Sequence, residues 1–265
     1  MIKILFIGDI FAKPGRRIIT SHLPKIIEEK GIDLTIANGE NLAGGLGITP
    51  KTAQEMFNAG IDALTTGNHL WDKKEIIEYL PEEPRILRPA NYPPNVPGNC
   101  LFFYKVKNKG KIAIFNLMGR IFTLSIDCPF RTADYYISKI HEMEDTKIIF
   151  VDFHAEATAE KMALAWYLDG RVSAVIGTHT HIQTADERIL PGGTAYITDA
   201  GMTGSHNSVI GIRPQDAINR FLLQIPSRFN PAKENPILNG VIITVEENSG
   251  KSLDIERLII KIESN

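Results

Sequence analysis

Residues 2–9, IKILFIGD, are a short run of apolar side chains that ends at a glycine and an aspartate. A run of this length bounded by a turn residue is typical of a buried strand. Two similar runs follow at residues 33–37 and 61–65. Each of the three is followed closely by a glycine and a polar side chain, and a helical pattern separates each from the next. This alternation predicts βαβ units and a parallel sheet.

Proline and glycine mark the boundaries of the two helices between these strands. Pro14 opens the first helical pattern and Gly31 closes it, whereas Thr49-Pro50 opens the second and Gly60 ends it. Proline suits a first helical turn because its missing N–H would be unpaired there, and glycine suits the left-handed residue that follows a helix. The first third of the chain therefore predicts strands and helices in regular order.

The rest of the chain predicts more strands and fewer helices. Strands are predicted at 101–106, 111–117, 147–153, 172–176, 195–198, 237–245 and 253–262. Helices are predicted from about Thr132 and at residues 158–168. We interpret the proline-rich segment 81–97 as a surface connection and residues 201–208 as a polar loop. The pattern as a whole predicts one α/β domain over residues 1–265.

Composition excludes some classes of protein. Apolar residues make up 43% of the 265 residues and charged residues 23%, which is ordinary for a globular chain and excludes disorder. The formal charge of −2 argues against strong general binding to nucleic acid, although it leaves a local basic patch open.

The two cysteines and the N-terminal residues bear on location. Cys100 and Cys128 are too few for a disulfide framework, so we expect two buried free thiols in a reducing compartment. The apolar N-terminal run is too short for a signal sequence, and no stretch has the roughly 20 apolar residues that a membrane span needs. We therefore expect a cytoplasmic protein without a membrane partner.

Several predicted strands end at residues that can bind a metal ion. These residues are Asp9, Glu40, Asn41, Asn68, His154, His179 and His181. Taken singly, each has a structural explanation, such as a turn, a helix cap or a hydrogen-bonded histidine. Because sites in open α/β sheets form outside the carboxyl ends of the strands, we expect the seven side chains to converge.

The mixture of ligands favours a particular chemistry. Carboxylate, amide and imidazole groups suit manganese, iron, zinc or magnesium, and no cysteine belongs to the pattern. The seven residues are too many for one tetrahedral ion, but they fit two ions that share a carboxylate, for which Glu40 is the natural bridge. Such a pair clamps a phosphate and lowers the pKa of a bridging water, whose hydroxide is the nucleophile.

The metal-capable residues lie in sequence blocks that resemble those of the calcineurin-like metallophosphoesterase superfamily. The first block has Phe11 where the superfamily usually has histidine, and the second has Glu40 where it usually has aspartate. Both departures match the YmdB-like branch. The matching segments are GDIFAKPGR, NGENLAGGLGIT, GNHLWD, DFHAEATAEK and GTHTHIQTADERILPGGTAYITDAGMTG, and this resemblance extends over nearly the whole chain.

This resemblance implies layered β-sheets flanked by helices and a phosphodiesterase that acts on cyclic nucleotides, with 2′,3′-cyclic nucleotides as the expected substrates. It also divides the ligands between two divalent or mixed-valence ions (Fe, Mn, Zn or Mg). Asp9, Asn41 and His181 would bind one ion, Asn68, His154 and His179 the other, and Glu40 both. Asn41 takes the place of the missing histidine of the first block, which leaves the identity of the metal open.

His69 is the candidate catalytic residue, because it follows a ligand by one position and can protonate the leaving oxygen or stabilise transition-state charge. A hydrogen bond from His69 to a ligand is the structural alternative. Asp72 and Glu75 have the spacing of a capping box, and we prefer this interpretation of Asp72 to a catalytic one.

Other residues are weaker candidates for contacts with substrate. The glycine-rich segment 44–47 suits close approach of the backbone to a ligand. Arg120 and Arg131 could hold phosphate, although at least one is expected in solvent, and His206 has no further support. The sequence therefore identifies no substrate-binding residue.

Three alternatives remain open at this point. The same metal pair could serve a phosphomonoesterase, or it could act mainly as a sensor in a regulatory or RNA-associated protein. A nucleotide-binding protein without metal is disfavoured, because the chain has a histidine pair and neither a GxGxxG nor a P-loop. The expected partner is a small cyclic nucleotide, and the oligomeric state, a homo-oligomer included, is left open.

Overall fold

Two β-sheets lie face to face and carry the predicted metal ligands at one edge. They are described by a computed structural model covering residues 1–144, 146–226 and 228–262. The strands are β1 Ile2–Ile7, β2 Asp9–Ile10, β3 Leu34–Asn38, β4 Ala63–Thr65, β5 Ile86–Leu87, β6 Leu101–Lys105, β7 Lys111–Met118, β8 Ile148–His154, β9 Ala174–Thr178, β10 Arg188–Ile189, β11 Ala195–Ile197, β12 Met202–Ser205, β13 Pro236–Val245 and β14 Ser252–Lys261.

The first sheet has the order β2-β12-β13-β1-β3-β4-β5, with β14 paired to β13. Strands β1, β3, β4 and β5 are parallel, as the alternating first third predicts. The closing pair β13 and β14 is antiparallel, and β13 also pairs with β1, so the C-terminal strands complete the sheet that the N-terminal strands begin.

The second sheet has the order β10-β11-β9-β8-β7-β6. Strands β7, β8, β9 and β11 are parallel, and β6 forms the predicted antiparallel hairpin with β7. In the register of the central strands, Met118 lies beside His154 and His154 beside Thr178. The carboxyl ends of these strands are therefore level with one another.

Helices cover the outer faces of both sheets. They are α1 Ala12–Lys30, α2 Pro50–Asn58, α3 Glu75–Tyr79, α4 Pro129–Met143 and α5 Thr158–Leu168. A further helix, α6 Pro214–Leu223, is mostly exposed, and Ala217 is its one buried residue. Gly31 ends α1 with a left-handed φ of 64°, and Thr49 caps α2 through the Thr52 backbone N–H. Both features are the helix boundaries that proline and glycine predict.

The apolar core has three layers, because the strands present side chains to both faces. Phe6 and Phe150 meet between the sheets, with ring centroids 5.3 Å apart. Leu5 lies on the outer face of the first sheet with residues of α1 and α2, and Phe153 lies on the outer face of the second with residues of α4 and α5. This confirms the predicted α/β class of layered sheets flanked by helices.

Several sequence-based boundaries were wrong. Residues 201–208 are not simply a polar loop, because they contain the buried strand β12. Residues 81–97 are not wholly a surface connection, since residues 86–92 are buried and include β5. Helices α1 and α4 begin earlier than predicted, at Ala12 and Pro129. Helix α6 and the two-residue strands β2 and β10 were not predicted.

The predictions for the cysteines hold in part. Both Cys100 and Cys128 are free, but they are half-buried rather than buried. The Cys100 thiol donates to the Tyr136 hydroxyl at 2.9 Å.

Among the residues that the structure describes, no helix combines the length and the apolar character needed to cross a membrane.

Candidate metal centre

The carboxyl ends of strands from both sheets bring together all seven residues that the sequence predicts as metal ligands. Asp9 follows β1, Glu40 and Asn41 follow β3, and Asn68 follows β4 in the first sheet. His154 ends β8, and His179 and His181 follow β9 in the second sheet. The side chains meet in two groups that share Glu40.

The first group surrounds the Nε2 atom of His154. The Oδ1 atom of Asn68 and the Nδ1 atom of His179 each lie 3.0 Å from this nitrogen. The Oε2 atom of Glu40 lies 3.3 Å from it. All four atoms can present lone pairs to the same point. A proton on the His154 Nε2 atom can form a hydrogen bond with only one of the other three. Convergence of this kind suits a cation better than a set of hydrogen bonds.

The second group surrounds the other side of Glu40. The Nδ2 atom of Asn41 lies 3.0 Å from the Glu40 Oε1 atom and 3.3 Å from the His181 Nε2 atom. The Oδ1 atom of Asp9 is buried, has no hydrogen-bond partner among the described residues, and lies 3.8 Å from the His181 Nε2 atom. A buried carboxylate oxygen left in this way requires a positive charge nearby. The atoms of the first group, and the Asp9, Glu40 and His181 atoms of the second, therefore fit metal ions. The Asn41 amide faces the second group with its nitrogen, and it would bind an ion through Oδ1 once the amide is turned over.

Burial and charge in the cluster act strongly on its ionisable groups. Burial raises the pKa of Asp9. Burial also opposes the charged form of Glu40, but His154 outweighs it and holds the pKa of Glu40 well below its usual range. Burial would lower the pKa of His154, yet the Glu40 and Asp9 carboxylates raise that pKa to about 9. The raised pKa of His154 records how strongly these carboxylates attract positive charge to this point.

Hydrogen bonds on the far side of two histidines aim a ring nitrogen at the cluster. The Thr178 hydroxyl donates to Asp152 at 2.7 Å, and so accepts from the His154 Nδ1 atom at 2.9 Å. The His181 Nδ1 atom lies 3.0 Å from the Ile210 carbonyl oxygen, to which it donates. Each contact places a proton on Nδ1 and directs Nε2 at the cluster, which is the nitrogen that would bind an ion, as in metal-binding histidines.

The loop that holds His179 and His181 has an unusual backbone. The two histidines have φ angles of 98° and 68°, in the left-handed region that residues other than glycine rarely adopt. Between them, the backbone N–H and the hydroxyl of Thr180 donate to Asp199 at 3.0 and 2.7 Å. Lys161 donates to the same carboxylate at 2.8 Å, and this ion pair is fully buried. The pair stabilises the loop in its strained form.

Residue 67, just after β4, must be glycine because His154 and Glu40 lie very close to its backbone. A Cβ atom at this position would lie 2.3 Å from the His154 Nε2 atom and 2.5 Å from the Glu40 Oε2 atom. Any side chain at residue 67 would therefore fill the space in which the ligands converge.

His69 lies beside the cluster and lines a cavity over it. Its backbone N–H donates to Glu40 at 3.1 Å, and its Nδ1 atom lies 2.8 Å from the Asp72 Oδ2 atom. The predicted capping box at Asp72 was wrong: Asp72 belongs to a 3₁₀ turn at Leu70–Asp72, and α3 begins at Glu75 with no side-chain cap. Sequence reasoning thus missed the contact between Asp72 and His69.

The cavity over the cluster has a volume of about 460 Å³, within the usual range for small-molecule sites. Its polar floor includes Glu40, Asn41, His69, His179 and His181, together with Glu156, whose carboxylate lies 3.1 Å from the His179 Nε2 atom. Its walls include the apolar residues Phe11, Leu46, Ile210, Ile212, Phe229 and Pro231. Ile210, Ile212, Phe229 and Pro231 could not be identified from the sequence, because they lie in segments without a motif. Phe11, Leu46 and Glu156 lie within the matching segments, but nothing in those segments marks them as cavity residues.

Phe11, at the position where the superfamily usually has histidine, is fixed between two glycines. A Cβ atom at Gly45 would lie 2.7 Å from the Phe11 ring, and one at Gly211 would lie 2.5 Å from it. The ring also meets His181 edge-on, with centroids 5.7 Å apart. The glycine-rich segment was expected to approach a ligand; in the structure Gly45 lies against the Phe11 ring, and Gly44 and Gly45 both line the cavity.

Three side chains that the sequence offered as substrate contacts lie elsewhere. Arg120, Arg131 and His206 are exposed. None of them belongs to the lining of the cavity in the described part of the chain.

The chain is similar to known proteins over nearly its whole length. The model of the YmdB-like protein family matches residues 5–258. A Bacillus subtilis protein named 2′,3′-cyclic-nucleotide 2′-phosphodiesterase is 46% identical over 258 residues, which cover 97% of each chain.

Two solved structures share the fold. A hypothetical protein from Thermus thermophilus superposes with a TM-score of 0.91 at 41% identity, over 98% of this chain and 99% of the other. A protein described as a novel phosphatase from Mycoplasma pneumoniae superposes with a TM-score of 0.91 at 36% identity, over 98% and 93% of the two chains. The chain belongs to the YmdB-like family, as its sequence blocks predict.

Proposed function

We propose that the protein is a two-metal phosphodiesterase that hydrolyses 2′,3′-cyclic nucleotides. The observation that carries this proposal is the pair of ligand groups that share Glu40 beneath a cavity with apolar walls. The name of the Bacillus subtilis relative supports the same substrate class. We further propose that residues 1–265 act as one domain in the cytoplasm, which the apolar layer between the sheets and the free cysteines support.

Each group of ligands would hold one ion. Asp9, Asn41 and His181 form one set, Asn68, His154 and His179 form the other, and Glu40 reaches both. When bound, the two ions supply positive charge to the phosphoryl oxygens and lower the pKa of a water molecule to give the nucleophile. Manganese, iron, zinc and magnesium all suit these donors.

His69 would supply the proton that the leaving group needs. Its Nδ1 atom is hydrogen-bonded to Asp72, so Nε2 is the ring nitrogen that can contact a substrate in the cavity. As the attacking oxygen forms its bond to phosphorus, the bond between phosphorus and a ribose oxygen breaks. The His69 Nε2–H then gives its proton to that ribose oxygen, which leaves as a hydroxyl group.

The cavity favours a nucleotide diester over a simple monoester. Besides the metal ligands, the polar side chains that line it in the described part of the chain are His69, Glu156 and Thr180, so it offers no lysine or arginine to a dianionic phosphate. The apolar walls can take a base and ribose. A monoesterase, or a sensor that binds the nucleotide without turnover, is the alternative.

The test combines metal analysis with substrate comparison. Protein purified without chelator should hold close to two ions per chain at saturation. At equal manganese, kcat/KM should be higher for 2′,3′-cyclic AMP than for AMP or an aryl monoester. A folded sample that never exceeds one ion per chain contradicts the two-metal assignment, and a tenfold preference for monoesters contradicts the diesterase assignment.

A further inference from the structure

A second, larger concavity of about 820 Å³ adjoins the cavity over the metal centre. The two share Gly44 and Pro231 in their linings, and Ala12 in the larger one follows Phe11 in the smaller. We call the larger one the basic groove. It therefore borders the candidate active site at Gly44 and Pro231 and extends away from it along the first turns of α1.

The charge of the basic groove is of one sign. Its lining includes Lys13, Arg17, Arg213 and Lys233, with His22 beside them, and no described residue in the lining is acidic. The whole chain has a formal charge of −2, so this concentration of positive charge is local. A cleft lined by one sign of charge attracts ligands of the opposite sign.

These cations differ in their pairing from other basic residues in the described part of the chain. Arg16, on another face of α1, is paired with Glu55 at 2.7 Å and donates to the Leu42 carbonyl. By contrast, within residues 1–144, 146–226 and 228–262 no carboxylate forms an ion pair with Lys13, Arg17, Arg213 or Lys233. Arg213 interacts electrostatically with Asp216, one helical turn away, without forming an ion pair. The four exposed cations around the groove are therefore available to a polyanion.

The cations are spread along the groove rather than gathered at one point. Lys13 and Arg17 lie one helical turn apart on α1, and His22 lies about 13 Å along the helix from Lys13 at about 1.5 Å per residue. The opposite wall carries Arg213 and Lys233, in segments joined by the bond from the Arg213 N–H to the Asn230 carbonyl. This spacing suits a chain of phosphates that follows the groove, whereas a single phosphate group needs convergent donors.

We propose that the basic groove binds the phosphodiester backbone of a short single-stranded oligoribonucleotide whose terminal 2′,3′-cyclic phosphate lies at the metal centre. The inference rests on the proposed function and extends it from free cyclic nucleotides to RNA ends. The terminal nucleotide occupies the smaller cavity, and the nucleotides attached through its 5′ oxygen occupy the groove. Contact is limited to a few phosphates next to the end, in keeping with the near-neutral charge of the chain.

The binding experiment uses a 5′-fluorescein-labelled pentaribonucleotide that ends in a 3′-phosphate and needs no turnover. The groove variant carries Arg17→Gln, Arg213→Gln and Lys233→Gln. A control variant with the same loss of charge carries Lys25→Gln, Lys107→Gln and Lys139→Gln, at exposed positions outside the groove. Fluorescence anisotropy should show a Kd at least tenfold higher for the groove variant only. The magnitude of the slope of log K against log salt should decrease by about 2 in the groove variant, since each of the three lost phosphate contacts contributes about 0.7.

The kinetic experiment uses the metal-loaded enzyme with 2′,3′-cyclic AMP and with the pentaribonucleotide ending in a 2′,3′-cyclic phosphate. The ratio of kcat/KM for the pentanucleotide to that for cyclic AMP should fall at least tenfold in the groove variant and stay constant in the control. Equal affinity of groove variant and wild type for the labelled pentanucleotide overturns the proposal. So does displacement by inorganic tripolyphosphate as effective as by unlabelled pentanucleotide. Wild-type protein that turns over neither substrate contradicts the proposed function. The anisotropy measurement tests RNA binding in the basic groove independently of that result.

Discussion

The two sheets contribute different chemistry to the same edge of the molecule. The first sheet supplies oxygen-bearing side chains, namely Asp9, Glu40, Asn41 and Asn68. The second supplies imidazoles, namely His154, His179 and His181. Neither sheet alone presents the mixed donor set of the candidate metal centre, so the centre depends on how the sheets pack. The contact between Phe6 and Phe150, one residue on each sheet, helps to fix that packing.

The two sheets also differ in the hydrogen bonds that hold their ligands in place. On the first sheet, Glu40 belongs to both ligand groups and also accepts from the His69 N–H. On the second sheet, each histidine belongs to one group and is held from behind by its own partner, such as Thr178 or the Ile210 carbonyl. A substitution at Glu40 should therefore affect both metal binding and catalysis. Substitutions farther from Glu40, outside both ligand groups, should affect catalysis alone.

The largest effect is expected from Glu40→Gln. The substitution removes the charge that both ligand groups share, so we expect loss of metal to below one ion per chain and turnover of both diesters and monoesters at background. Elemental analysis and a cyclic AMP assay measure the two quantities. Glu28→Gln on the exposed face of α1 is the matched control. Full metal content with normal turnover in Glu40→Gln would remove Glu40 from the centre.

A smaller effect is expected from His69→Ala, which should separate catalysis from metal binding. Loss of a general acid slows turnover by about 10²–10⁴-fold, and the metal content should not change because the side chain of His69 lies outside both ligand groups. Turnover of 2′,3′-cyclic AMP, whose ribose leaving group needs a proton, and elemental analysis provide the measurements, with His141→Ala as an exposed control. An unchanged kcat would exclude His69 from the mechanism, and lost metal would make its role structural.

The smallest effect is expected from Asp72→Asn. Asp72 contacts His69 at 2.8 Å and belongs to neither ligand group, so it can act only by orienting that ring. We expect kcat to fall about tenfold, the lower end of the range for groups that orient a functional histidine, with KM and metal content unchanged. In the double variant His69→Ala/Asp72→Asn the second change should have no further effect. Additive losses would show that Asp72 acts independently of His69.

The strand ends and the ligands could be predicted from the sequence because they follow local rules. Asp9, Glu40 and Asn68 each follow an apolar run and a glycine, and parallel strands in a sheet bring such positions to one edge. The hairpin β6–β7 and helix α5 were also predicted, since their periodicity or turn residues are regular.

Features that depend on distant contacts could not be predicted. Strand β12 consists of MTGS, which has no apolar alternation, and it is a strand because it pairs with β2 and β13. Residues 86–92 are proline-containing but buried, because β5 completes the first sheet beside β4. The spacing of Asp72 fits both a helix cap and a contact with His69, and only the 3₁₀ turn at Leu70–Asp72 decides between them.

The left-handed backbone at His179 and His181 has a consequence for how quickly the centre can be loaded. Asp199 and Lys161 hold the loop in its left-handed form through Thr180. The free-energy cost of the strained backbone is therefore part of folding and is not added when an ion binds. An incoming ion thus finds imidazoles already in place, and preorganisation of this kind removes an ordering step from association. We therefore expect the departure of water from the ion to limit the rate of metal uptake, and we expect protein stripped by a chelator to rebind metal without refolding.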